Sequence, residues 1–398
     1  MSNDKIKILE SIDSYLPVVD GPINVVTNYA THLSRKEECI VAVPAAKKKL
    51  HYVDNQPFKV LRCKSTGAPE GYRNGFPGLD KKFKEAVKAE KPDIIHVHSP
   101  FNLARFAIRF GKEHNIPVVL TLHTQYKEDF KRVTKNFKPF VGIAMRYIMR
   151  AINNADYVWT VNDSSCKILK DYGYKGEIGV MRNGTHLSYP KNAEELIKRI
   201  DDLHGLKGQK NVFLFIGRIS YYKNLALLAK SLKILADQGE DFKMLFVGGG
   251  FDLESYKKQI AELGLNDNVI FAGAVKDKEL LQGYYLRSDL FLFPSTFDTS
   301  SLVPIEAAAH NLPTLLIEGS YTAENIVDGK NGFLAKETPE DFANKIKEII
   351  SNRKLLEQVG KEAGKSLYRS WDMVTDEVRA KYREIIEDFK KKHGEQKY

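Results

Sequence analysis

The chain has 398 residues, 43% of them apolar and 28% charged, which suits a soluble globular protein of two ordinary domains. No run of about 18 apolar residues occurs, so no membrane-spanning helix is expected, and the start MSNDKIKILESIDSY lacks the apolar core of a signal peptide. The net charge of +10 lies in the first half, where residues 1–187 carry 30 Lys+Arg against 19 Asp+Glu, a one-sided field that attracts nucleic acid, anionic membrane or an anionic substrate. Cys39, Cys63 and Cys166 are scattered, show no metal-ligand spacing and suit a reducing cytoplasm.

In chain order, strands are predicted at Lys7–Glu10, Glu38–Val43, Asp93–His98, Pro117–His123 and Tyr157–Val161, with amphipathic helices such as Asn24–Leu33 and Leu103–His114 between them. A second round starts at Asn211. Its strands are Val212–Ile216, Lys243–Val247, Val269–Ala272, Leu290–Phe293 and Thr314–Ile317, and its helices Asn224–Gln238, Leu253–Leu263, Leu280–Ser288 and Leu302–His310. Such alternation implies an α/β chain of two doubly wound, Rossmann-like domains. We expect a first domain at 1–187, a polar linker at 188–210, a second domain at 211–372 and a C-terminal helix and tail at 373–398. The helical pattern Trp371–Lys392, apolar at Val374, Val378, Tyr382, Ile385, Ile386 and Phe389, is expected to cross back to the first domain, with Lys390–Tyr398 frayed.

Ligands of open α/β sheets sit at the carboxyl ends of strands, so two such domains face to face predict a site in the cleft between them. Val212–Ile216 runs into Gly217-Arg218 and then Lys223-Asn224: a glycine for a tight turn and two cations suited to a diphosphate, or else an exposed loop with ordinary surface cations. Lys243–Val247 ends in Gly248-Gly249-Gly250, the mark of a tight turn or of close approach by a ligand or another backbone. Leu290–Phe293 leads to Asp298 and to a helix expected to begin near Ser301 with Pro304 in its first turn, so Asp298 and Glu306 bracket a helix start that favours anions. In the first half His96 and His98 share a strand face. His96 is expected to be a hydrogen-bonded structural group, and His98 and His123, at strand ends, to face the cleft. The loop Asp20-Gly21-Pro22 is either a turn or a presenter of helix amides to the cleft.

Taken together, these residues resemble the retaining glycosyltransferases of family four, which have the GT-B architecture. The matching pieces are Gly217-Arg218 with Lys223-Asn224, Val247 to Gly250, Phe271-Ala-Gly273, Ser288-Asp289 leading to Phe293-Pro294-Ser295, Glu306-Ala307 and Asn331-Gly332-Phe333-Leu334, and in the first half Asp93 to His98, Thr121-Leu-His123 and Asn183-Gly184. The resemblance implies a nucleotide-diphosphate-sugar donor, most simply UDP-linked glucose. Glu306 would bond the ribose and Asp298 would face the sugar. Gly217, Gly248, Gly249, Thr299, Ser300, Ser301 and Leu302 would line the donor, and Arg218 and Lys223 would stabilise the diphosphate leaving group. His123 would meet a sugar hydroxyl, and Gly21, His98 and Tyr126 would stand on the acceptor side. The family pattern has two glutamates with seven residues between them; here the first is Asp298, and the usual glycine-rich segment is Thr299-Ser300-Ser301. These departures leave the sugar open. No Asp-x-Asp motif stands at a strand end, in keeping with an enzyme that needs neither metal nor cofactor.

From Lys127 to Arg150, seven cations face two acids, interleaved with Phe130, Phe137, Phe140, Ile143, Met145, Tyr147, Ile148 and Met149. Such a segment suits an anionic bilayer or a core helix with a solvated basic face. His123-Thr124-Gln125-Tyr126 with Asp20-Gly21 looks most like the branch that glucosylates diacylglycerol, which implies a cytoplasmic protein, peripheral on the inner membrane face, with a lipid acceptor. The alternatives are a polysaccharide, glycan or small soluble acceptor, a nucleotide-sugar epimerase, and a non-catalytic binding relative. No nucleic-acid-binding motif accompanies the charge.

Overall fold

A computed structural model describes residues 5–18, 20–50, 52–68, 72–298 and 301–398. The chain divides into two compact units, one of residues up to Asn183 together with Trp371–Tyr398, the other Gly184–Ser370. Each is a parallel sheet flanked by helices, the two-domain composition of a GT-B chain.

In the first unit the strands are β1 (Lys7–Ser11), β2 (Glu38–Pro44), β3 (Lys59–Cys63), an antiparallel ribbon of β4 (Ser65–Gly67) and β5 (Arg73–Gly75), then β6 (Ile94–Val97), β7 (Val118–Leu122), β8 (Tyr157–Thr160) and β9 (Ile178–Val180). Among the described residues the main sheet has the order β3-β2-β1-β6-β7-β8-β9, so the winding reverses between β1 and β6. In the second unit β10 (Val212–Ile216), β11 (Lys243–Val247), β12 (Val269–Gly273), β13 (Leu290–Phe293), β14 (Thr314–Ile317) and β15 (Phe333–Ala335) take the order β12-β11-β10-β13-β14-β15. The reversal falls between β10 and β13. β10, β13 and β14 are apolar or nearly so throughout and buried at every position, because helices cover both faces of a parallel sheet.

The helix Trp371–His393 belongs to the first unit. Its stripe Trp371, Val374, Val378, Tyr382, Ile385, Ile386 and Phe389 is buried, and its polar side is pinned by charge. Arg379 and Arg383 each donate to Oε1 of the fully buried Glu37 at 2.7 Å. His32 and Arg35 meet Asp372 at 2.7 and 2.9 Å. The tail expected to fray is tied down: Lys397 N–H donates to the His114 carbonyl at 2.8 Å, Tyr398 hydroxyl to the Pro92 carbonyl at 2.7 Å, and the Asn115 side chain to the carbonyls of His393, Gly394 and Glu395.

The segment read as a linker, 188–210, differs most from expectation. It contains the helix Ala193–His204, capped by Gly205 at φ 65°, with Leu196 and Ile200 buried. That helix crosses the helix Lys278–Arg287 at Gly283, where an added Cβ would lie 2.9 Å from Ile200. Arg287 bonds Asp201 and donates to the carbonyls of Leu206 and Gln209, locking the segment into the second unit. The unit boundaries accordingly fall at 183/184 and 370/371 rather than at the ends of a linker.

Candidate functional site

In the second unit the chemistry gathers at the ends of β10 and β13, the two strands at the reversal. Lys223, in a short 3-10 turn after β10, is 9% exposed, and its Nζ donates to both carboxylate oxygens of Asp298 at 2.6 and 2.7 Å. The ammonium also lies 5.6 Å from the centre of the Tyr222 ring and 5.5 Å from that of Phe293. Arg218 is exposed. Of the reasons expected for the glycines, the approach of another backbone is the one observed. Gly217 has φ 153° and Gly248 φ 146°. A Cβ on Gly248 would sit 1.9 Å from the Gly217 carbonyl oxygen, and one on Gly250 2.0 Å from that of Ile219. The close approach is between two backbones, drawn together by Gly217 N–H to the Val247 carbonyl at 3.0 Å and Ile219 N–H to that of Gly249 at 2.9 Å. Gly249 alone has room, its nearest neighbour being Ala274 Cβ at 3.9 Å.

Glu306 lies on the helix Val303–Ala309, and its Oε2 accepts from the Tyr285 hydroxyl at 2.7 Å. Burial pushes this carboxyl up, and the Tyr285 bond pulls it back. Tyr285 is itself fixed by stacking on His310 at 5.1 Å, while His310 Nδ1 meets the Glu306 carbonyl at 2.7 Å. Tyr285 was invisible to motif reasoning, since only the fold brings it to Glu306. The helix has seven residues and starts at Val303, later than expected, so its dipole is slight. Ser301 and Leu302 precede it, and Thr299 and Ser300 lie outside the described residues. Asp298 and Glu306 therefore have separate partners, a lysine and a tyrosine, and do not form a carboxylate pair.

In the first unit the reversal between β1 and β6 holds a buried polar network. Glu10 on β1 accepts at Oε1 from Tyr382 hydroxyl at 2.9 Å and meets His98 Nε2 through Oε2 at 2.6 Å. His96 Nδ1 meets the Tyr382 hydroxyl at 2.5 Å, and its Nε2 meets Thr121 Oγ1 at 2.6 Å. His98 Nδ1 meets His123 Nε2 at 2.9 Å, with the two rings stacked. Burial raises Glu10 to about 8 against the Tyr382 bond. Burial lowers His98 to about 3 and holds His96 and His123 well below the usual imidazole range. Glu10, His96 and His98 have ligand atoms close enough to hold a metal ion, yet those atoms are already matched to Tyr382, Thr121, His123 and one another, which fits a closed hydrogen-bond network better than a coordination site.

The acceptor-side expectations change here. His98 is 1% exposed, because Glu10, His96, His123 and Tyr29 of the helix Gly21–Leu33 close around it, which places it behind His123 rather than at the surface. Tyr126 is 7% exposed and packs edge-on against Phe101, with ring centroids 5.4 Å apart. Gly21 opens the helix Gly21–Leu33 and is exposed, but the Ile23 amide is already taken by the Asp20 carboxylate at 2.8 Å. His123 is half-buried and remains the histidine of the cluster with exposure at a strand end. Glu10 and Tyr382, both central to the network, were not singled out by their sequence positions.

Residues 197–366 match the family model described as glycosyl transferases group 1, and residues 19–189 match glycosyltransferase family 4. The chain is 26% identical to the alpha-monoglucosyldiacylglycerol synthase of Streptococcus pneumoniae, over 80% of this chain and 72% of that one. It is 25% identical to the synthase of the same name from Acholeplasma laidlawii, over 88% of this chain and 90% of that one. Among solved structures, HepE of Anabaena in complex with UDP superposes with a TM-score of 0.76 at 19% identity, covering 95% of this chain and 100% of that one, a likeness of fold.

Proposed function

Because this chain is a GT-B-fold glycosyltransferase related to the group 1 and family 4 enzymes, moving a sugar from a nucleotide-diphosphate sugar, we propose that it transfers glucose from a UDP-linked donor with retention, to a hydroxyl of a membrane lipid such as diacylglycerol. The observation that carries the donor reading is the Lys223–Asp298 pair at the reversal of the second sheet, with the exposed Arg218 on the same segment after β10. Donor binding shares the Lys223 ammonium between Asp298 and the diphosphate. Arg218 adds its planar fork, and the two cations stabilise charge as the glycosidic bond breaks, without a metal. Glu306, oriented by Tyr285, takes ribose hydroxyls, and His123 meets a hydroxyl of the sugar. Retention rests on the resemblance to the family-four enzymes; Asp298 and Glu306, with their separate partners, are not given the acid and nucleophile roles of a retaining glycosidase.

The lipid reading is supported by the names of the two synthases and by a surface of the first unit. Val133, Phe137, Phe140 and Ile143 are 64%, 63%, 49% and 59% exposed on the helices Tyr126–Val133 and Lys138–Ile152 and the turn between them, among seven cations. An apolar face ringed by lysine and arginine gains from both acyl chains and anionic headgroups. No helix among the described residues is long and apolar enough to cross a membrane. A second reading, a soluble or polymeric acceptor, is equally compatible with the group 1 and family 4 descriptions, which specify no acceptor.

Turnover of UDP- and GDP-sugars with and without vesicles of diacylglycerol and anionic lipid tests both levels. A lipid-linked product, formed only with vesicles and weakened by salt, is expected. Glu306→Ala and Lys223→Ala should each lower kcat/KM by about 10²- to 10³-fold. Unchanged donor binding and turnover in both variants would overturn the donor site. A product made only from a soluble sugar would select the second reading.

A further inference from the structure

The hydrogen bonds at the reversal of the first sheet form an unbroken line from a buried acid to a half-buried ring: Glu10 Oε2 to His98 Nε2 at 2.6 Å, and His98 Nδ1 to His123 Nε2 at 2.9 Å. Glu10 is 0% exposed and His98 1%. Each imidazole in such a line carries one proton, so the state at one end dictates the state at the other. With Glu10 ionised, Oε2 accepts from His98 Nε2–H. His98 Nδ1 is then a lone pair and accepts from His123 Nε2–H, which makes His123 Nδ1 an acceptor. With Glu10 protonated, it donates to His98 Nε2. His98 Nδ1–H then donates to His123 Nε2, and the His123 proton sits on Nδ1. The two states differ by one proton. It enters at His123 Nδ1, the Nε2 proton of His123 passes to His98 Nδ1, and the Nε2 proton of His98 passes to the carboxylate; both rings end neutral.

We propose that Glu10 is a positioning residue for His123, acting through His98, and that its protonation decides whether His123 Nδ1 offers a hydrogen or a lone pair to the hydroxyl it meets. The proposal rests on the reading that His123 meets a sugar hydroxyl. Tyr382 biases the relay from the C-terminal helix, since its hydroxyl donates to Glu10 Oε1 and favours the charged form. The other titratable groups facing Glu10 are Cys39 from β2 and His96 from β6; Tyr29 from the helix Gly21–Leu33 acts on Tyr382 and lies edge-on to both His96 and His98. Burial raises Glu10 to about 8, which brings the change close to neutral pH.

The test is the ring nitrogen-15 spectrum of His123 in the full chain with labelled histidine, from pH about 6 to about 9.5, a range that brackets the raised carboxyl. In the wild type the His123 proton is expected to move from Nδ1 to Nε2 as pH rises. In Glu10→Gln, which keeps the volume and removes the titration, His123 should hold one tautomer throughout, and kcat should fall about 10- to 100-fold, as when a group orienting a functional histidine is lost. Tyr382→Phe should shift the midpoint to higher pH. A static wild-type tautomer, or the same movement in Glu10→Gln, would sink the proposal. If Glu10→Gln does not fold, the wild-type and Tyr382→Phe spectra decide. The readout is independent of turnover. Moving spectra with full activity in His123→Ala leave the relay and remove His123 from the reaction; static spectra with an inactive His123→Ala do the reverse.

Discussion

Single residues of this chain matter through what touches them, and the three consecutive glycines after β11 separate this from composition. Gly248 and Gly249 are adjacent and chemically identical, yet a Cβ on the first meets a carbonyl oxygen at 1.9 Å and a Cβ on the second meets nothing closer than 3.9 Å. Gly248→Ala should therefore cost about 2 kcal/mol or more, combining overlap with strain at positive φ, while Gly249→Ala should cost less than about 0.5 kcal/mol. Urea unfolding of the second unit's transition measures both, and equal costs would refute the packing account. At this scale the sequence was informative wherever the candidate site draws on a residue type at a strand end. Gly217, Arg218, Lys223, Asp298 and Glu306 all stand out that way. It was silent where the bond spans a long stretch of chain. Lys223 and Asp298 are 75 positions apart and Tyr382 and Glu10 are 372 apart, so neither pairing has a local signature. His98 looked available because the groups that enclose it, Glu10, Tyr29 and His123, are distant in sequence.

At the scale of elements, the C-terminal helix is held by an unusual charge arrangement. Glu37 is buried, which alone would raise its carboxyl, but Arg379, the Ile6 amide and Arg383 together hold it below its ordinary value. A depressed folded pKa contributes stability that is complete above the unfolded value of about 4.3 and disappears as pH falls through the folded one. Glu37→Gln should thus destabilise the first unit by about 2 kcal/mol near pH 7, discounted for the partial exposure of both arginines. The gap between variant and wild type should close on acidification below about pH 4. Denaturant curves at several pH values check this; a gap that stays constant would exclude the linkage. Long amphipathic helices and buried strands were legible because they repeat a pattern over many residues: β10, β11, β13 and β14 match their expected spans. The edge strands β3, β9 and β15 escaped, being short or only partly buried. The helix Ala193–His204 escaped because two buried apolar positions among charges look like a linker, although Gly205 marks its end.

At the scale of the molecule, the second unit is an uninterrupted stretch whose ends meet. Thr185 bridges Ser370, and its amide donates to the Arg369 carbonyl at 2.8 Å. Residues 184–370 expressed alone should fold with a single cooperative transition. A chain stopped after Ser370 should keep that transition and lose the one from the first unit. Trp371, Val374, Val378 and Tyr382 are each fully buried, and their loss removes on the order of 10 kcal/mol, comparable with the whole stability of a domain. Two intact transitions in the shortened chain would contradict this.

The detour of the chain also sets a timetable. A ribosome releases β1, with Glu10, long before it makes Tyr382, and it completes all of Gly184–Ser370 in between. At about 5–20 residues per second, Glu10 waits roughly 20 to 75 seconds for the hydroxyl that matches it. The second unit can mature during that interval, so the half bearing Lys223, Asp298 and Glu306 forms first and the half bearing the histidine relay closes last.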